Sequence, residues 1–338
     1  MHKKCPGAVG KAVELITGVR CCFLALVWLA CLPAGLVAQV VPDQPHPTFR
    51  SSVELVAMTA IVRDRDGRPV AGLSRADFEL IDAGERRTIA NFRAEPASAS
   101  VAILLDVSGS MAVGSKLENA RQAMAHLVSW LDPRTDEVAV YTFDSTLRAQ
   151  QPFAPASIEA VLHLPRFDPF GSTSLYDATA QVAQRVAGQR RTRRAVVVVT
   201  DGVDTSSHLL ASEVSRLSSD IEVPVYLIAV STPLDHPLDA GRTSGDGSAP
   251  AAWSLARLVG QTGGVSFVVT RPADASAAAR QIAAELHLGY QIAFEPGSQA
   301  GWHELSLHTR RKGLLVRART GYFAGTTAVV ARQMTAGK

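Results

Sequence analysis

The chain has 338 residues, is 47% apolar and 19% charged, and carries a formal net charge of +3. That is room for one large domain or two smaller ones, and it is too apolar for a largely disordered chain. The 25 Gly and 18 Pro are scattered without a repeat, which excludes fibrous and solenoid architectures.

The charge is unevenly placed. Residues 1–38 hold Lys3, Lys4, Lys11 and Arg20 against Glu14, which accounts for the whole excess and leaves a neutral body. A neutral body argues against nucleic acid as a partner, because binding it needs a basic face to neutralise phosphates. All four cysteines (Cys5, Cys21, Cys22, Cys31) lie in the same stretch, so the body has no disulfide, zinc–thiolate site or cysteine nucleophile.

Residues 1–38 have the order of a secretory signal peptide. A basic segment precedes the apolar run CCFLALVWLACL, and Pro33, Gly35 and small residues follow up to Ala38. Two alternatives stay open: an uncleaved anchor spanning the charge-free stretch 21–42, and a lipoprotein signal ending at Cys31. All three place the body outside the cytoplasm, secreted or in a bacterial periplasm or envelope. Membrane contact is expected only if the leader is uncleaved or lipidated.

Residues 39–50 are Pro-rich and polar, a linker. Residues 51–98 read as short strands and turns, with a hairpin turn at Asp64–Gly67 and Ser74 capping a helical turn. From residue 99 strands and helices alternate. Ser100–Asp106, Glu137–Phe143, Arg194–Thr200, Val223–Val230 and Val265–Thr270 are the strands, with a shorter one around Leu147–Phe153. Helices are expected over Lys116–Leu131, Ala156–His163, Ser174–Ala187, Leu209–Ser219, Trp253–Thr262 and Ala273–Leu288. RAVVVVT is apolar on both faces, as the centre of a parallel sheet requires. The fold class is therefore α/β, a doubly wound parallel sheet over 99–288. Residues 289–324 return to β and are expected to pair with 51–98 into a small β domain around the inserted α/β unit. Residues 325–338 are expected to be a disordered tail.

In open α/β sheets ligands bind beyond the strands' carboxyl ends. The first central strand ends in Asp106-Val-Ser108-Gly-Ser110, with Gly109 expected to turn the backbone. Another central strand runs out into Asp201-Gly202, and between them Thr173 opens a helix. Two carboxylates and three hydroxyls, without His or Cys, suit a hard divalent cation: Mg²⁺ first, with Mn²⁺ or Ca²⁺ as alternatives. So few charged ligands leave the ion Lewis-acidic, with a vacant position that a partner's carboxylate fills.

Asp106-x-Ser108-x-Ser110 with Thr173 and Asp201 resembles the metal-ion-dependent adhesion site of von Willebrand factor type A domains, over about residues 99–288. The resemblance implies a Rossmann-like fold and hydroxyl ligation by Ser108, Ser110 and Thr173. It implies Asp106 and Asp201 as direct or water-mediated ligands, and an acidic protein residue completing the shell. The flanks VAMTAIVRDRDGRPVAGLSRADFELIDAGERRTIANF and HELSLHTRRKGLLVRARTGYFA are similar to exported bacterial VWFA-related proteins of the Acidobacteria type.

Asp177, one turn after Thr173, is a candidate to orient that residue, and Asp204 is a candidate support or an ordinary solvated turn. Arg190, Arg191, Arg193 and Arg194 read as a solvated basic run, and Asp235, His236, Asp239 and Asp246 as members of a long loop over Ser231–Ala252. No elbow motif surrounds Ser108 or Ser110, so no catalytic residue is assigned. The leading expectation is an exported, non-enzymatic binding module that grips a carboxylate on a protein partner through Mg²⁺. The alternatives are a structural envelope component with incidental metal, and, less favoured, a metal-dependent hydrolase. Scattered side chains, or a pocket plugged by a salt bridge from the protein's own Lys or Arg, would overturn the adhesive reading.

Overall fold

The computed structural model describes residues 55–202, 204–220, 222–231 and 251–324. The leader, linker, tail and nearly all of the long loop, with Asp235, His236, Asp239 and Asp246, lie outside the described residues.

The centre is a six-stranded sheet. Its strands are β5 (Ala99–Asp106), β6 (Glu137–Phe143), β7 (Leu147–Pro155), β8 (Arg193–Thr200), β9 (Val225–Val230) and β10 (Ser266–Val269). The order is β10-β9-β8-β5-β6-β7, parallel throughout except for antiparallel β7 at one edge. The doubly wound class expected from the alternation is what forms.

β5 and β8 are buried on both faces, and each face feeds a separate core. Ala99, Val101, Ile103 and Leu105 pack with α1 (Lys116–Ser129) and α6 (Pro272–Leu288). Ala102 and Leu104 pack with α3 (Leu175–Ala187), α4 (Ala211–Asp220) and α5 (Ala251–Gln261). This two-sided burial is why the strands read as continuous apolar runs, and it holds their carboxyl ends rigid. α2 is shorter than its expected span, Ile158–Leu162.

The two flanks pair with each other. β1 (Val56–Arg63) runs antiparallel to β11 (Tyr290–Phe294), and β2 (Phe78–Asp82) to β12 (Gly301–Thr309). With β3 (Glu85–Arg87), β4 (Ile89–Arg93), β13 (Leu315–Arg317) and β14 (Gly321–Ala324) they make two four-stranded sheets, β13-β1-β11-β4 and β14-β12-β2-β3. Both sheets share a core of Met58, Phe78, Leu80, Tyr290, Phe294 and Leu305. The Glu285 carboxylate on α6, fully buried, ties this β unit to the α/β unit through Arg63 at 2.6 Å and through Arg317.

The basic run is not uniformly solvated: Arg193 is 3% exposed. Its Nη2 donates to the Gly289 carbonyl, its Nε and Nη1 have no partner, and burial lowers its pKa to about 10. The strand takes precedence here, because Arg193 opens β8 in the middle of the sheet and alternation turns its side chain to a covered face whatever its charge.

Candidate metal centre

β5 and β8 are adjacent and in register, Leu105 opposite Val199. β5 has β6 on its other side, so the chain winds away in both directions from the β5–β8 boundary, which is the switch point. Asp106 closes β5, and Asp201 follows directly on β8. The register therefore puts both carboxylates at one place on the rim.

Asp106 is fully buried and anchored. Its Oδ1 accepts the Ser108 N–H at 2.8 Å, and its Oδ2 accepts the Thr200 hydroxyl at 2.5 Å. Burial raises its pKa, and the Asp201 charge adds to that, against the hydrogen bonds from Ser108 and Thr200. The turn after β5 brings the Ser108 and Ser110 hydroxyls to 3.3 Å from each other. Gly109 is not left-handed as a tight turn would require. Instead its N–H donates to the Gly171 carbonyl at 3.0 Å, and the left-handed glycines of the rim are Gly171 (φ 84°) and Gly202 (φ 93°).

Thr173 is buried on the neighbouring loop, which the Gly109–Gly171 bond and a 3.2 Å bond from Phe170 N–H to the Val107 carbonyl tie to the β5 turn. Its own N–H donates to Thr205 Oγ1 at 2.8 Å, and its carbonyl accepts the N–H groups of Thr205 and Ser206. The fold thus brings Asp106, Ser108, Ser110 and Asp201 together and sets Thr173 on the loop packed against them.

The two supporting candidates part company. Asp204 Oδ1 accepts the Leu175 N–H at 2.8 Å and the Ser207 hydroxyl at 2.6 Å, so it caps the start of α3 just beyond Thr173. Asp177 does not serve Thr173. Its carboxylate is taken up by the His208 and Leu209 N–H groups at 3.0 and 2.9 Å and by the His208 ring. A helix-turn spacing from Thr173 places Asp177 on the side facing the 208–209 segment, which sequence proximity does not reveal.

Two residues missed by the sequence reading complete the site. Thr200 anchors Asp106, and a hydroxyl ending an otherwise apolar strand just before Asp201 is a usable signal for it. Lys116, the first residue of α1, sends its Nζ to Asp201 Oδ2 at 3.1 Å, with both side chains buried. Nothing local announces this contact, which spans 85 residues. It is the intrusion that counts against adhesion, and it occupies one oxygen of the carboxylate. The other, Asp201 Oδ1, is buried and has no hydrogen-bond partner.

Residues 101–203 match the family model described as von Willebrand factor type A domain. Over that stretch the sequence is similar to von Willebrand factor type A domains. No curated protein matches the chain. Among solved structures, an aerotolerance-related membrane protein from Bacteroides fragilis is 22% identical, covering 56% of this chain and 98% of its own, with a TM-score of 0.43. A von Willebrand factor type A protein from Catenulispora acidiphila is 15% identical over 81% of this chain and 75% of its own, at 0.44. The mussel byssus proximal thread matrix protein 1, in a form with zinc in its adhesion-site motif, is 15% identical over 60% and 48%, at 0.45. Likenesses this distant carry no residue-level inference.

The oxygens of this rim suit a hard cation. Among the described residues no cluster of three or more His, Cys, Asp or Glu side chains is placed to hold a metal, so an ion here depends on hydroxyls. The orphaned Asp201 Oδ1 is the kind of atom that an ion satisfies, since a buried carboxylate oxygen without a partner is costly. Neither serine hydroxyl bonds a histidine among the described residues, and the two meet each other instead.

Proposed function

We propose that this protein is an exported, non-enzymatic binding module. Asp106, Ser108, Ser110, Thr173 and Asp201 hold a divalent cation, Mg²⁺ before Mn²⁺ or Ca²⁺, and the ion grips a carboxylate on a protein partner. The orphaned, buried Asp201 Oδ1 carries this reading. The type A domain supports a role in protein interaction. Export rests on the leader; among the described residues no helix is long and apolar enough to cross a membrane.

When bound, the ion supplies a Lewis-acidic position for the partner's carboxylate. The protein's own groups orient it: Thr200 and the Ser108 N–H fix Asp106, and Asp204 fixes the start of α3 next to Thr173. The test is capture of partners from envelope extract with and without chelator, using wild type, Asp106→Asn and Thr173→Ala. Proteins held by wild type in Mg²⁺ should be released by chelator and absent from both variants, while the far-ultraviolet spectra stay unchanged. Partner capture indifferent to chelator would overturn the reading.

A second reading is favoured by the Lys116–Asp201 pair, which already neutralises one carboxylate. In it the metal is incidental, and the β unit built by the two flanks makes the contacts of an envelope component. Capture that survives both chelation and Asp106→Asn is its signature.

A further inference from the structure

Lys116 is placed against three ordinary preferences. It is the first residue of α1, where the helix dipole disfavours a cation. It is 5% exposed, although ammonium groups are strongly hydrated. And it approaches the rim where the ion of the proposed function would sit. What offsets these costs is Asp201, at 3.1 Å, with the Asp106 carboxylate close enough to feel the Asp201 charge.

We propose that Lys116 is a built-in counter-cation that competes with the divalent ion for Asp201 and thereby sets how much metal the site needs before it loads. This rests on the metal reading above. Without an ion, the Lys116 ammonium pairs with Asp201 through Oδ2, and Asp201 Oδ1 is left bare. When a divalent ion enters, ammonium and ion repel each other across a short, poorly screened distance, and each weakens the other's hold on the shared carboxylate. The site is therefore tuned to load where divalent cations are abundant and to stay charge-compensated, and folded, where they are scarce.

The experiment uses the exported full chain, stripped with chelator, as wild type, Lys116→Met, Lys116→Gln, Lys116→Arg and Asp106→Asn. Calorimetric titration with MgCl₂ and MnCl₂ reads affinity, and thermal unfolding in chelator reads the metal-free form. Lys116→Met and Lys116→Gln should bind Mn²⁺ at least tenfold more tightly than wild type, while Lys116→Arg stays within about threefold. In chelator the neutral variants should melt below wild type, and saturating Mn²⁺ should reverse that order. Equal or weaker ion binding in whichever neutral variant folds overturns the role of Lys116 and leaves the metal reading standing. Absence of any titration that Asp106→Asn abolishes, in wild type and neutral variants alike, overturns both.

Discussion

Thr200 donates its hydroxyl to Asp106 at 2.5 Å across the boundary between β8 and β5, and both residues are fully buried. The same hydroxyl accepts the Gly202 N–H at 3.0 Å. One side chain therefore fixes the carboxylate at the end of one strand and the turn leaving the other. Thr200→Val keeps the shape and removes both bonds. It should cost about 1–3 kcal/mol, read from urea unfolding, because a buried carboxylate oxygen loses its donor. An unchanged midpoint would show that the bond does not hold the rim together.

Asp204 caps α3 through the Leu175 N–H. Asp204→Ala should destabilise the protein by roughly 0.5–2 kcal/mol, the usual cost of a lost helix cap. Because Thr173 lies two residues before that cap, Mn²⁺ affinity should fall as well. Asp177→Ala should lower stability without changing Mn²⁺ affinity, since its carboxylate serves 208–209. Titration of the two variants side by side separates the roles.

Asp136 gathers three segments at the opposite end of the sheet. It accepts the Ala99 and Asp132 N–H groups, each at 2.9 Å, and meets His287 Nε2 at 2.7 Å. Burial opposes its charge, but the bonds from His287, Ala99 and Asp132 outweigh burial and hold its carboxyl below the ordinary carboxylate range. A lowered folded-state pKa means that this stabilisation is complete above the unfolded carboxylate value and is lost as pH falls through the lower folded value. Urea midpoints of wild type should decline across that acid window, and those of Asp136→Asn should start lower and decline less. Parallel curves would contradict the assignment.

Asp82 and His303 join the two flanks inside the β unit. Nδ1 of His303 lies 2.8 Å from Asp82 Oδ1, and Tyr322 and Arg87 approach the same carboxylate. His303→Ala should cost roughly 2–3 kcal/mol, less than the 3–5 of a buried pair broken outright, because Arg87 and Tyr322 remain on Asp82. Differential scanning calorimetry checks it. A loss confined to a separate low-temperature transition would show that the β unit unfolds independently of the α/β unit.

Much of the fold was legible in the chain. Residues such as Val196–Val199 are apolar at every position because both faces of the strand are covered, and that pattern alone signals a parallel sheet. The strand-ending Asp106 and Asp201 followed from it, as did the oxygen-only chemistry. β14 cannot be read from the sequence as a separate strand, because its four residues show no alternation long enough to read. Arg193 was misjudged because charge suggests solvent, whereas its strand position buries it.

Residue order and side-chain chemistry determined which oxygens are available and that they end up on one rim, since local periodicity and strand termini are short-range properties. Tertiary structure alone decided which neighbours those oxygens keep. Lys116 meets Asp201, Thr200 meets Asp106, and Asp177 turns away to 208–209. Those pairings depend on strand register and helix rotation, which are set by packing between segments far apart in the chain.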